Sequence, residues 1–167
     1  MSEHPLLRAD QILKTLSEDA VRFVLIGGLA SQVHGSPSLT GDVDICFALD
    51  GANLHRLGDS LARMAAVRRG LDGAVHAPID QRALRAGDVF TLSTRFGDLD
   101  LLANPDPRLD FEQLQGRSIA AEIFGVEVRV ASLEDLMAMK RAAGRPKDLI
   151  ELEILGALRE ELDRRDG

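Results

Sequence analysis

Apolar and polar positions change their period several times along this chain, and the changes mark its elements. Residues 8–19 place Ile12, Leu13 and Leu16 at helical spacing, which predicts an amphipathic opening helix. Residues 21–26 form a compact apolar run with β-branched members, ending at Gly27-Gly28, and predict a buried strand. A short helix over 29–34 follows, closed by Gly35 and Pro37. Residues 42–49 alternate and then turn continuously apolar. They predict a second strand, with Val43 and Ile45 on one face and Asp42, Asp44 and Cys46 on the other. Apolar residues at 54, 57, 61, 64 and 65 predict a helix over 54–67, capped by Asp50 or Asn53. The stretch 68–80 carries no assignable period, and 80–86 predicts one or two helical turns.

Residues 89–94 and 98–103 read as strands about a Phe96-Gly97 turn. A proline-rich loop over 104–110 and a helical turn over 111–115 lead to 118–124 and 126–131, a hairpin across Gly125. Ser132 is placed to cap a helix through LEDLMAMKRAA, with Asp135 in the capping-box position. Gly144 and Pro146 interrupt it. A last helix from Lys147 or Asp148 offers Leu149, Ile150, Leu152, Ile154, Leu155, Leu158 and Leu162 as a broad apolar face. The sum is an α/β (α+β) fold, a mixed sheet flanked by helices. One domain over 1–167 is expected, with a core over about 20–131 and a C-terminal helical segment over about 132–164.

Composition narrows the partners. A formal net charge of −7 makes the chain a poor generic binder of nucleic acid, so a polyanion needs a local basic patch. Tyr and Trp are absent and Phe numbers six, so stacking of bases on an aromatic platform is not expected. The single cysteine, Cys46, lies inside an apolar strand pattern and reads as a small core residue. No signal peptide or membrane-length apolar run is seen, and a cytoplasmic protein with no membrane partner is expected.

The candidate chemistry starts at Asp42 and Asp44. Residues i and i+2 of a strand point the same way, about 7 Å apart, so the two carboxylates can share divalent ions. Two ions roughly 3.5–4 Å apart clamp the attacking and leaving oxygens of a phosphoryl or nucleotidyl transfer. A bare Asp-x-Asp also fits two surface residues at a strand's start. Gly27-Gly28 joins a strand to a helix, where backbone can approach a phosphate closely, although packing alone also places glycine there. The stretch lacks the Gly-Lys-Ser/Thr of a P-loop. Ser31 and Thr40 add hydroxyls near this turn, or equally serve as a helix-surface and a turn residue, and His34 reads as a loop anchor ahead of a base. In FGDLDLLA, Asp98 and Asp100 alternate again. Asp100 precedes Leu101-Leu102 and is the expected third carboxylate; Asp98 adjoins the turn and is expected to be solvated. Lys140, Arg141, Arg145 and Lys147 form a cationic cluster. It suits either a solvated helix end or a surface facing a triphosphate, a pyrophosphate or an RNA acceptor.

Taken together, Gly27-Gly28, Thr40-x-Asp42-x-Asp44, the aspartate of FGDLDLL and the segment SLEDLMAMKRAAGRPKDLIELEIL resemble the nucleotidyltransferase superfamily of the DNA polymerase beta type. The resemblance is to its minimal prokaryotic branch, related to the AbiEii-like toxins, and covers residues 22 to 155. It implies a polymerase-beta-like mixed sheet, two Mg²⁺ ions, and transfer of a nucleoside monophosphate from a nucleoside triphosphate, ATP included, to a hydroxyl. By position it makes Asp42, Asp44 and Asp100 metal ligands, with Asp100 also helping to deprotonate the acceptor. Gly27, Gly28, Ser31, Thr40, Lys140, Arg145 and Lys147 become nucleotide-binding residues, Lys140 on the phosphates, and Arg145, Lys147 and Asp148 order the site. Two departures stand out: Ser38 replaces the basic residue of many relatives, and Gly28 the serine of other branches. The resemblance implies an acceptor that is RNA (tRNA) or protein, and a toxin or antitoxin partner. The alternative is a nucleotidyltransferase-like fold without useful turnover, acting as a protein-binding module.

Overall fold

The computed structural model describes residues 5–70 and 78–167. The chain opens with helix α1, Ala9–Glu18, whose Ile12, Leu13 and Leu16 are buried as their spacing requires. Strand β1, Phe23–Ile26, is buried along its whole length. Helix α2, Gly27–Val33, starts at the glycine pair itself, two residues earlier than its pattern suggests, because Gly27 adopts φ +71° and turns the chain straight from strand into helix.

Strand β2, Asp42–Phe47, leads into helix α3, Gly51–Arg63. Of the two candidate caps, Asp50 takes the role, accepting the Asn53 N–H at 3.0 Å. Asn53 is instead fully buried and ties α3 to the strand ends. Its amide accepts from Arg22 N–H and donates to the Arg22 and Ala48 carbonyls. Within the stretch without a period, 71–77 lie outside the described residues, while Val67–Arg68 form a two-residue strand, β3. Helix α4, Gln81–Ala86, precedes the hairpin of β4, Val89–Thr94, and β5, Gly97–Leu102. Helix α5, Phe111–Arg117, carries a complete capping box from Asp110 and Gln113. The second hairpin is β6, Ile119–Ile123, with β7, Val126–Val130.

Helix α6, Leu133–Ala143, is capped by Ser132, whose hydroxyl accepts the Asp135 N–H at 3.1 Å. The expected capping box stays half made, because Arg117 grips the Asp135 carboxylate at 2.6 and 3.1 Å. Gly144, at φ +63°, closes α6, and helix α7, Pro146–Asp166, begins at the proline. Its expected broad apolar face is only partly used. Leu155 is buried, but Leu149 and Ile150 are 51% and 60% exposed, because α7 packs chiefly along α6, and Ile150 faces an open cleft. Among the described residues no helix is long and apolar enough to cross a membrane.

The described strands form one mixed seven-stranded sheet in the order β3-β4-β5-β2-β1-β7-β6. β2 runs antiparallel to β1 and parallel to β5, and β1 runs parallel to β7. β2 and β5 thus lie side by side at the centre, in a register that pairs Asp42 with Asp98 and Asp44 with Asp100.

Candidate active site

Register assembles the acidic cluster. Paired residues on neighbouring strands share a face, so Asp44 and Asp100 leave the sheet together, and Asp42 lies two residues along the same face as Asp44. Ligand oxygens of Asp42, Asp44 and Asp100 all lie within 4.8 Å of one another. Thr40 steadies this edge, its hydroxyl lying 3.2 Å from both the carbonyl and a carboxylate oxygen of Asp42.

Packing carboxylates this closely raises the proton affinity of Asp44 and Asp100. Burial first, then the charges of Asp42 and Asp100, push the Asp44 carboxyl up to about 7, against the opposing charge of Lys140. Burial also raises Asp100, with the Arg69 guanidinium opposing it and Asp42 adding to it. An oxygen-only donor set carrying excess negative charge suits a hard divalent cation such as Mg²⁺.

A cleft of about 530 Å³ opens over the cluster. Gly27, Gly28, Thr40, Lys140, Arg145 and Lys147 line it with the three aspartates. Asp148 anchors the cationic wall. It is 1% exposed, accepts from Arg145 Nε at 2.6 Å and from the Arg145 backbone N–H at 3.2 Å, and lies 3.5 Å from Lys140 Nζ. Burial pushes the Asp148 carboxyl up, but the Arg145 hydrogen bonds and the Arg145 and Lys140 charges outweigh it and hold it below the ordinary value.

Ser31 is the sequence-derived residue that the fold does not bring to the cleft: it is buried and its hydroxyl donates to the Gly27 carbonyl at 3.1 Å. His34 Nε2 lies 2.8 Å from the Ala131 carbonyl, tying α2 to the end of β7 in the anchoring role. Asp98 is half-buried rather than solvated, 3.2 Å from the Ser93 hydroxyl and 3.5 Å from Arg69. Arg69 is the site residue that sequence reasoning misses. It bonds Asp100 directly. Its only sequence signal is a basic pair before Gly70 in a stretch without periodicity.

Comparisons with known proteins bear on the fold and the family. No curated protein matches. Two of the solved structures that share the fold are antibiotic-modifying enzymes by their own descriptions. One is the lincosamide antibiotic adenylyltransferase LnuA bound to lincomycin, at TM-score 0.60 and 13% identity, covering 92% of this chain and 99% of that one. The other is ANT(2")-Ia in complex with adenylyl-2"-tobramycin, at TM-score 0.55 and 18% identity, covering 95% of this chain and 97% of that one. The family model described as the nucleotidyl transferase AbiEii toxin of type IV toxin–antitoxin systems matches residues 11–161, and the chain therefore belongs to the AbiEii family of nucleotidyltransferases.

Proposed function

We propose that this nucleotidyltransferase is Mg²⁺-dependent and moves a nucleoside monophosphate from a triphosphate, ATP among the candidates, to a hydroxyl of RNA (tRNA) or protein, as part of a toxin–antitoxin pair. The observation that carries the chemistry is the convergence of Asp42, Asp44 and Asp100 opposite Lys140 across one cleft. The family description supports the toxin role.

Asp42, Asp44 and Asp100 hold the metal in this reading. Mg²⁺ when bound supplies neutralising charge to the phosphate oxygens around the reacting phosphorus. Lys140 extends over the cleft and donates to the triphosphate. Asp148 fixes its direction, and Arg145 and Lys147 extend the positive wall along the leaving pyrophosphate. Asp100 accepts the proton of the attacking hydroxyl. The hydroxyl oxygen bonds to the α-phosphorus, the bond from that phosphorus to the bridging oxygen breaks, and pyrophosphate departs with the electron pair.

Each labelled nucleoside triphosphate, incubated with Mg²⁺, the protein and total RNA or cell extract, tests this directly. Label on RNA or on protein identifies the acceptor, and an Asp42→Ala, Asp44→Ala protein abolishes it. Absence of both label transfer and metal-dependent triphosphate binding overturns the proposal and leaves the protein-binding module.

A further inference from the structure

Arg69 reaches the acidic cluster along a row of residues that crosses the sheet. Its backbone N–H donates to the Thr91 carbonyl at 2.9 Å. Thr91 pairs with Asp100, and Asp100 pairs with Asp44. Members of such a row share a face, so the Arg69 side chain runs over Thr91 toward the carboxylates. One terminal nitrogen bonds Asp100, and the other lies 3.5 Å from Asp98. Its Nε is buried and has no partner among the described residues. The guanidinium is therefore held by its tips, between two carboxylates, rather than locked in a full fork.

Asp100 is also one of the three carboxylates whose oxygens cluster within 4.8 Å. The oxygen that Arg69 engages belongs to the group a metal needs, and a guanidinium keeps its charge at any working pH. Asp98 is the second carboxylate within its reach and is outside the cluster.

We propose that Arg69 is a built-in counter-ion that competes with the metal: without metal it holds Asp100, and on metal loading it transfers to Asp98. The proposal rests on reading Asp42, Asp44 and Asp100 as a metal site. Asp98 is then a holding position for Arg69 and not a ligand. A purely orienting arginine has the opposite signature, because its loss would disorder Asp100 and weaken the metal.

Mn²⁺ titration of the full chain, followed by the electron paramagnetic resonance of free Mn²⁺, distinguishes these cases. Relative to wild type, Arg69→Ala is expected to bind Mn²⁺ about tenfold more tightly, since a cation beside the site is gone. Asp98→Asn is expected to bind it several-fold more weakly, since Arg69 has lost its alternative. Without metal, the melting temperature of Arg69→Ala falls, and added Mn²⁺ raises it by more than in wild type. Equal or weaker binding by Arg69→Ala overturns the proposal, as does unchanged binding by Asp98→Asn. Should Arg69→Ala fail to fold, Arg69→Gln and Asp98→Asn decide it by the same criteria. Binding of Mn²⁺ by neither wild type nor any variant overturns the metal-site reading itself, an outcome separate from failure of the Arg69 role alone.

Discussion

Gly27 and Asp44 occupy a single space: a Cβ built on Gly27 would fall inside the Asp44 carboxylate, and the Gly27 backbone already stands at φ +71°. Gly27→Ala therefore strains the backbone and displaces a cluster aspartate at once. A loss of about 1–3 kcal/mol in stability, read by thermal melting, is expected together with at least about a hundredfold loss of label transfer. Gly28 has a similar neighbour in Thr40, whose Cβ would lie 2.7 Å from an added Cβ, but its backbone has no positive φ. Gly28→Ala is expected to cost less on both measures.

Asp44→Asn separates stability from catalysis. It removes one of three mutually repelling carboxylates, so the metal-free protein should melt at a higher temperature than wild type. Label transfer should fall by about a thousandfold or more, because several kcal/mol of transition-state stabilisation depend on the cluster. A variant that is both more stable and inactive marks Asp44 as a functional residue held at a cost to the fold.

The acidic cluster also sets a pH dependence. The Asp44 carboxyl sits at about 7 in the folded protein, above its unfolded value, so folding favours its protonated form. Its contribution to stability is full below the unfolded value and is lost as pH rises through about 7. Metal-free protein should thus melt several degrees lower at about pH 8 than at about pH 5. Saturating Mg²⁺ should abolish most of the difference by binding the ionised form. A melting temperature that rises with pH across this window in the absence of metal would contradict the assignment.

Lys140 and Asp148 should respond differently to substitution. Lys140 lines the cleft and is partly exposed, and Arg145 still pairs the buried Asp148 without it, so Lys140→Met is expected to lower the melting temperature by only a few degrees while reducing label transfer about a hundredfold. Asp148 is buried between two cations. Asp148→Asn should lower stability by about 2–4 kcal/mol and raise KM for the triphosphate as Lys140 loses its guide. Kinetics and melting on both proteins check this split.

Much of this architecture is legible in the residues. Alternation locates β2, β4 and β5, and the repeated Asp-x-Asp shows which face each strand gives to chemistry. That Asp44 and Asp100 meet depends on β5 lying parallel beside β2, a pairing that no local pattern states. Arg69 follows a two-residue strand, too short to express a period, and its partners come from the far strand of a hairpin. The last helix misleads for another reason. Leu149 and Ile150 are apolar in sequence, but α7 packs chiefly along α6 and turns them away from it, so composition alone does not bury them. Ser31 illustrates a third limit, since a helical hydroxyl near a glycine turn can bond back to its own helix, and only the fold reveals which way it points.

The order of the site residues along the chain has a consequence for synthesis. Translation delivers Asp42 and Asp44 first, then Asp100, and Lys140 and Asp148 last. A chain still emerging from the ribosome can form the β4–β5 hairpin, but it lacks the cationic wall that we propose to grip a triphosphate. The cleft is therefore complete only once α6 and the start of α7 dock.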